Sequence, residues 1–220
     1  MILAIDTTSE FGSLALMRAT DCIDEMPLHS SDGFAHLLHE QLARLLARNE
    51  VKLGEIQCFA SAAGPGSFTG VRVGLAAAKG LAEATGRSAI AVSNLRALAS
   101  FGSRPLRATV LDARRGQVYA AVYSQDLRTV IPEAVIALPA WLNSLPEGDL
   151  EFISQDFTPF RAATAGTRFA ETTVVTAPRA LAAAVARIAW REWQHGEAQD
   201  PAALDANYVR RSDAELFWKG

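Results

Sequence analysis

The segment Gly64-Pro65-Gly66-Ser67-Phe68-Thr69-Gly70 carries the strongest chemical character in the chain. Its glycines allow a sharp backbone turn after a strand, and the N–H groups that open a following helix attract anions. Three known loops test that idea. A Walker A loop requires a lysine after its second glycine, and Val71 stands there after a gap one residue too long. A dinucleotide fingerprint accepts Gly64 and Gly66 but meets Thr69 at its third glycine, and the next strand ends in Ser93 rather than an acid. A nucleophile elbow needs glycines flanking the serine at a spacing Ser67 does not have. Two readings stay open: a structural strand-to-helix turn, or a phosphate or anion contact.

Asp6, Thr7 and Thr8 form the second constellation. At the end of a first strand they could hold a nucleotide phosphate or a magnesium ion. They could equally close a strand-end turn through side-chain hydrogen bonds, the plainer reading. The four histidines supply no HExxH or HxxxH metal pair. His36 and His39 are three apart and read as solvated helix residues. Cys22 and Cys58 form no CxxC pair, which fits a reducing compartment without a disulfide framework or structural zinc. Trp190, Trp193 and Trp218 cluster late in the chain and read as packing residues rather than a base-stacking platform.

The elements that must position these groups follow from periodicity. Residues 2–6 and 13–17 read as paired strands, and 21–27 as a weaker third closed by Pro27. Phe34, Leu38, Leu42 and Leu45 lie on one helical stripe, widened by Leu37 and Leu46, so a helix is expected from Asp32 as N-cap to Asn49. A buried strand over 56–64 feeds the glycine loop, a helix over 70–85 ends at Gly86, and a strand (88–93) and helix (94–101) follow. Such alternation indicates helices packed on a sheet. In the 70–85 helix, Gly70, Gly74 and Ala78 recur on one stripe and Ala76, Gly80 and Ala84 on another. Mid-helix glycine costs about 1 kcal/mol, so another backbone must approach closely. That neighbour is either the protein's own sheet or first helix, or a helix of another subunit.

The segment 102–107 marks a boundary, giving domains 1–104 and 105–220. Strands follow over 108–113, 116–124, 129–138 and 151–154, no element is assigned over 155–177, and a last helix begins at Pro178 and ends at Gly196. Both halves open with an apolar strand ending in aspartate, Asp6 and Asp112, which hints at duplication. The composition, 50% hydrophobic and 20% charged over 220 residues, suits a packed α/β protein. A net charge of −3 leaves no strongly basic face for holding nucleic acid by phosphate neutralisation alone. With no basic leader and no membrane-length apolar run, a cytoplasmic protein is expected.

Three stretches then stand out together: MILAIDTTSEFGSLAL, AAGPGSFTGVRVGLAAAKGLA and AVSNLRALA. With VLDARRGQVYAAVY and the tail ANYVRRSDAELFWK they resemble, in order, the TsaB (YeaZ) family of bacterial tRNA threonylcarbamoyladenosine biosynthesis proteins. One departure is that Phe34 stands where the family has His-Ser or His-Thr, so no role passes to His36. The resemblance implies a two-domain actin/hexokinase/Hsp70-like (ASKHA) α/β fold with a reduced second domain. It implies a non-catalytic scaffold without its own cofactor or metal, paired with a TsaD-like subunit that binds metal and nucleotide through an H-x-x-x-H pair absent here. A TsaE-like ATPase and tRNA join through that complex, and the protein alone forms a homodimer. Asp6, Thr7, Thr8, Gly64, Gly66 and Ser67 would be a vestigial nucleotide or phosphate contact, and Leu37, Leu38, Leu42, Gly70, Gly74 and Ala78 the subunit interface. The alternative is an independent phosphotransferase or peptidase of the same fold class. The sequence displays neither the second phosphate loop of the one nor the nucleophile–base pair of the other.

Overall fold

The computed structural model describes residues 1–209. Arg210 onward, including Trp218 and the end of the tail motif, lies outside the described residues. The described residues form two compact units, Met1–Ala97 with Arg179–Asn207, and Leu98–Pro178 with residues 208–209.

In the first unit β1 (Ile2–Asp6) pairs antiparallel with β2 (Phe11–Arg18), which pairs with β3 (Asp21–His29). After α1 (Leu38–Arg48), β4 (Cys58–Ala62) lies parallel to β1. The helix α2 (Phe68–Thr85) then leads to β5 (Ser88–Val92) beside β4, followed by α3 (Asn94–Ala99). The sheet order is β3-β2-β1-β4-β5. Every residue of β1 and β4 is buried, as continuous apolar runs covered on both faces should be. The edge strand β3 runs through Pro27 to His29 instead of stopping there, since an edge tolerates a missing ladder donor.

The second unit repeats the pattern. Its strands β6 (Leu106–Asp112), β7 (Gln117–Ser124) and β8 (Thr129–Ala137) are antiparallel neighbours. After α4 (Leu138–Ser144), β9 (Leu150–Ser154) lies parallel to β6. The short α5 (Arg161–Thr164) precedes β10 (Val174–Thr176), parallel to β9. The order β10-β9-β6-β7-β8 is the first sheet's order read from the other edge, with β6 in the place of β1. Its core is aromatic: Phe152 packs against Trp141, Phe157 and Phe169. Periodicity assigns no element over 155–177, yet α5 and β10 lie there, held by tertiary contacts rather than by a visible period.

The chain then returns to the first unit as α6 (Ala182–Gln194), packed on β1, β2, β4 and β5. A single division between 104 and 105 therefore does not describe the compact units. Nor does α6 start at Pro178. Its first buried amides find acceptors far away in sequence: Leu181 and Ala182 donate to Ser13 Oγ at 3.1 and 2.9 Å, and Ala183 donates to Glu25 Oε1 at 2.8 Å. Similarly, α1 begins at Leu38, six residues after Asp32, because Ser30 Oγ donates to the Gly33 carbonyl and Gly33 takes a φ of 83°, closing a turn first. No helix among the described residues is long and apolar enough to cross a membrane.

The two small-residue stripes of α2 have opposite fates. Gly74 and Ala78 are buried. A Cβ on Gly74 would meet Thr7 Oγ1 at 2.7 Å and Ser61 Oγ at 2.9 Å, and one on Gly70 would lie 2.0 Å from the Thr7 carbonyl oxygen. The close neighbour of this stripe is thus the protein's own sheet, which corrects the expectation that Gly70, Gly74 and Ala78 form a groove for a partner helix. Leu38 and Leu42 likewise belong to the core, and Leu37 is half-buried. Ala76, Gly80 and Ala84 face outward, with nothing within 4 Å of a Cβ on Gly80.

A paired substitution reads this difference. Gly80→Ala relieves the helix of a glycine in open space and should stabilise the protein by roughly 0.5–1 kcal/mol. Gly74→Ala overpacks a closed contact and should cost about 1–3 kcal/mol. Urea unfolding followed by circular dichroism compares the two, and equal effects would mean the stripes are not distinguished by packing.

Candidate functional site

The six residues expected to form a phosphate contact do converge, but on one another. The turn after β1 is an Asx turn: Asp6 Oδ1 accepts from the backbone N–H of Thr8 at 2.9 Å and from its hydroxyl at 2.6 Å. Asp6, Thr7 and Thr8 are all buried. The Thr8 carbonyl accepts from Ser67 N–H at 2.6 Å, and Thr7 Oγ1 donates to the Gly70 carbonyl at 2.7 Å. The glycine loop is therefore pressed directly onto the β1–β2 turn. Gly66 has no space for a side chain, since a Cβ there would lie 2.5 Å from the Thr8 carbonyl oxygen. Ser67 caps α2, its hydroxyl accepting from Gly70 N–H at 3.3 Å.

Asn94 completes the arrangement. It follows β5, donates from Nδ2 to Thr8 Oγ1 at 2.6 Å, and accepts from Gly64 N–H through Oδ1 at 2.9 Å. Its own N–H donates to the Gly64 carbonyl at 2.8 Å. One amide side chain thus ties the turn after β1 to the loop after β4. A polar residue opening a helix is a visible signal, but nothing local reveals that Asn94 reaches across the sheet. Residue type and spacing alone do not single it out.

These bonds decide what the constellation can do. Burial raises the Asp6 carboxyl above its ordinary range, while the hydrogen bonds from Thr8 and the nearby Asn94 oppose the rise. Its carboxylate is spent on Thr8, and the loop's Ser67 amide is spent on a carbonyl. Beside this knot lies an open cleft of about 300 Å³ lined by Thr7, Ser9, Ser67 and Thr69, with Glu10 and Asp32 also on its wall. Hydroxyls could bond a phosphate there, but the two carboxylates would repel it. The cysteines are equally unsuited to nucleophilic work. Burial pushes the Cys58 thiol up to about 12, and burial also raises that of Cys22, whereas a nucleophile needs a lowered value. Among the described residues no group of three histidine, cysteine or acidic side chains could hold a metal ion. His36 and His39 are exposed.

Comparison with known proteins agrees with this architecture. A family model for TsaD, described as tRNA N6-adenosine threonylcarbamoyltransferase, matches residues 26–193. The tRNA threonylcarbamoyladenosine biosynthesis protein TsaB of Bacillus subtilis is 31% identical, the alignment covering 99% of this chain and 97% of its own. TsaB of Escherichia coli is 36% identical over 57% of this chain and 55% of its own. The solved structure of YeaZ from Pseudomonas aeruginosa superposes with a TM-score of 0.81 at 25% identity, covering 94% of this chain and 98% of that one. Together with the two like-ordered sheets, these matches establish the two-domain, actin-like α/β fold.

The buried acid has a measurable signature. In the folded protein Asp6 keeps its proton at a pH where the unfolded chain has released it. Its contribution to stability therefore falls as pH rises from the ordinary carboxylate range through the raised value. Asp6→Asn keeps an acceptor for Thr8 and removes the titration. Urea unfolding across this range should show the parent losing stability relative to the variant as pH rises. A constant difference between them would show that Asp6 is not perturbed by folding.

Proposed function

The chain belongs to the TsaB (YeaZ) family of tRNA threonylcarbamoyladenosine biosynthesis proteins, and from that premise we propose that it is the non-catalytic, activating subunit of the complex that places threonylcarbamoyl on the adenosine beside the tRNA anticodon. It does so by dimerising with a TsaD-like subunit, which brings the metal and nucleotide. A TsaE-like ATPase joins through that pair, and the protein alone self-associates. The internal commitment of Asp6, Thr8 and Ser67 supports a scaffold over an independent phosphotransferase. Two thiols with raised pKa weigh against a cysteine peptidase.

The observation that carries the reading is the outer face of α2. Ala76, Gly80 and Ala84 leave a shallow exposed track. Beside it Val73, Ala77 and Leu81 are half-buried over the same core that Leu37 and Leu46 of the α1 region cover. Such a face lets a second helix approach closely, with apolar contact on both sides of the track. It replaces the buried Gly70–Gly74–Ala78 stripe as the proposed interface.

Gly80→Leu fills the track without touching the monomer's interior. Overpacking of a close contact costs about 1–3 kcal/mol, which is roughly one to two orders of magnitude in affinity. Analytical ultracentrifugation with the TsaD-like partner should show that loss while circular dichroism stays unchanged. Parent-like affinity would place the interface elsewhere. In cells, depletion of the protein should lower threonylcarbamoyladenosine in tRNA hydrolysates measured by mass spectrometry, and a normal level would contradict the proposed pathway.

A further inference from the structure

The second half of α6 carries side chains for which the scaffold role gives no reason. Leu181 to Ala186 are all buried, and so are Ile188 and Ala189 farther on, while other side chains of this half face outward. Arg187 and Arg191 are exposed. Four residues apart on a helix, they are neighbours on one face, about 5–6 Å between Cβ atoms. Like charges at that spacing weaken a helix, yet neither guanidinium makes a hydrogen bond, ion pair or ring contact among the described residues. Trp190, three residues after Arg187, stands half-buried next to Trp193, their rings 5.2 Å apart and tilted by 34°.

A third cation belongs to the same end of the sheet. Ile2 pairs with Met17, so the following residue, Arg18, lies opposite Met1. The chain-start ammonium is held below its ordinary range by burial and then by the charge of Arg18. Cys22 and Cys58 flank this row, opposite Met17 and Ile2 respectively. This stretch of α6 packs on β1, β2 and β4; after burial, Glu25 raises and Arg187 lowers the Cys22 thiol, and Glu192 raises that of Cys58. Arg18 is exposed and makes no ion pair with Asp21, its cross-strand neighbour. Glu192 is already engaged by Arg96. Among the described residues Arg18, Arg187 and Arg191 thus make no ion pair, although the whole chain is acidic and Glu25 and Asp24 also act on the Cys22 thiol.

Resting on the reading that the complex acts on tRNA, we propose that Arg18, Arg187 and Arg191, with Trp190 and Trp193, form a contact for the RNA backbone. Unpaired, exposed guanidiniums complement phosphates, and indole faces or edges take up a ribose or an unstacked base. A net charge of −3 restricts this contact to the assembled complex, where it orients RNA that other subunits also hold.

The test uses the protein assembled with its TsaD-like partner and an unmodified tRNA transcript as probe. Fluorescence anisotropy across a salt series compares the parent with the double variant Arg187→Glu/Arg191→Glu. Affinity should fall at least about tenfold at low salt, and the slope of log affinity on log salt should shrink by about 1–2, the share of two phosphate contacts. Arg187→Lys/Arg191→Lys should restore the slope. If the charge-reversed protein fails to fold, Arg187→Gln/Arg191→Gln gives the same comparison. Unchanged affinity and slope overturn the proposal. So does a variant that loses assembly with the partner and keeps its RNA affinity, which would make the face a protein contact. A parent complex that leaves the transcript unmodified contradicts the proposed function. One that modifies it while the variants bind RNA normally contradicts this inference alone.

Discussion

Two carbonyl groups occupy the space that side chains at positions 66 and 70 would fill. The Thr8 carbonyl stands where a Gly66 side chain would begin, and the Thr7 carbonyl where a Gly70 side chain would begin. This backbone-on-backbone contact sets how close α2 lies to β1, and Gly74 and Ala78 keep the same distance along the helix. A bond network then holds the contact in register, from Asp6 through Thr8 to Asn94 and Gly64. Any side chain at 66 or 70 would push the helix away from the turn, and the network would lose its geometry with it.

That network also shows how much chemistry residue types alone can reveal. Asp6-Thr7-Thr8 and the glycine loop are legible as a unit, because both place turn-forming residues directly after a buried strand. Whether they face a ligand or each other is not legible. The answer depends on the register of β1 against β4 and on Asn94, which comes from a third element. The stripes of α2 pose the same problem. Both have the spacing of a close contact, and only the orientation of the helix on the sheet tells which is inside.

The helices α1 and α2 are readable because burial and helical period coincide in them, and β1, β2 and β4 because they are short, continuous apolar runs. Their ends are less so. The start of α1 moves from Asp32 to Leu38 because a Ser30–Gly33 turn intervenes, and the start of α6 moves from Pro178 to Ala182 because its acceptors are on β2 and β3. The short α5 and β10 have no period long enough to see. The duplication is visible as two aspartates closing two strands. Asp6 and Asp112 make the same bond to the amide two residues on, one buried and one exposed. The two turns share that bond but not their backbone form, since Arg114, Arg115 and Gly116 take positive φ and no residue between β1 and β2 does.

The distant capping of α6 has a consequence for how the chain is made. Synthesis proceeds from the N-terminus, so the first sheet emerges long before residues 181–183 that Ser13 and Glu25 must receive. Until then a polar serine with no partner lies on the face that α6 will cover, beside the apolar side chains of β2. Of the second unit, the stretch Leu98–Pro178 with all five of its strands is in the nascent chain before α6 exists. The first sheet, made first, thus gains its covering helix only after the second sheet's strands are made. Such long-range closure is slow relative to local contacts, and over that interval the exposed face of the first sheet is the part of the newborn chain most open to aggregation or to a chaperone.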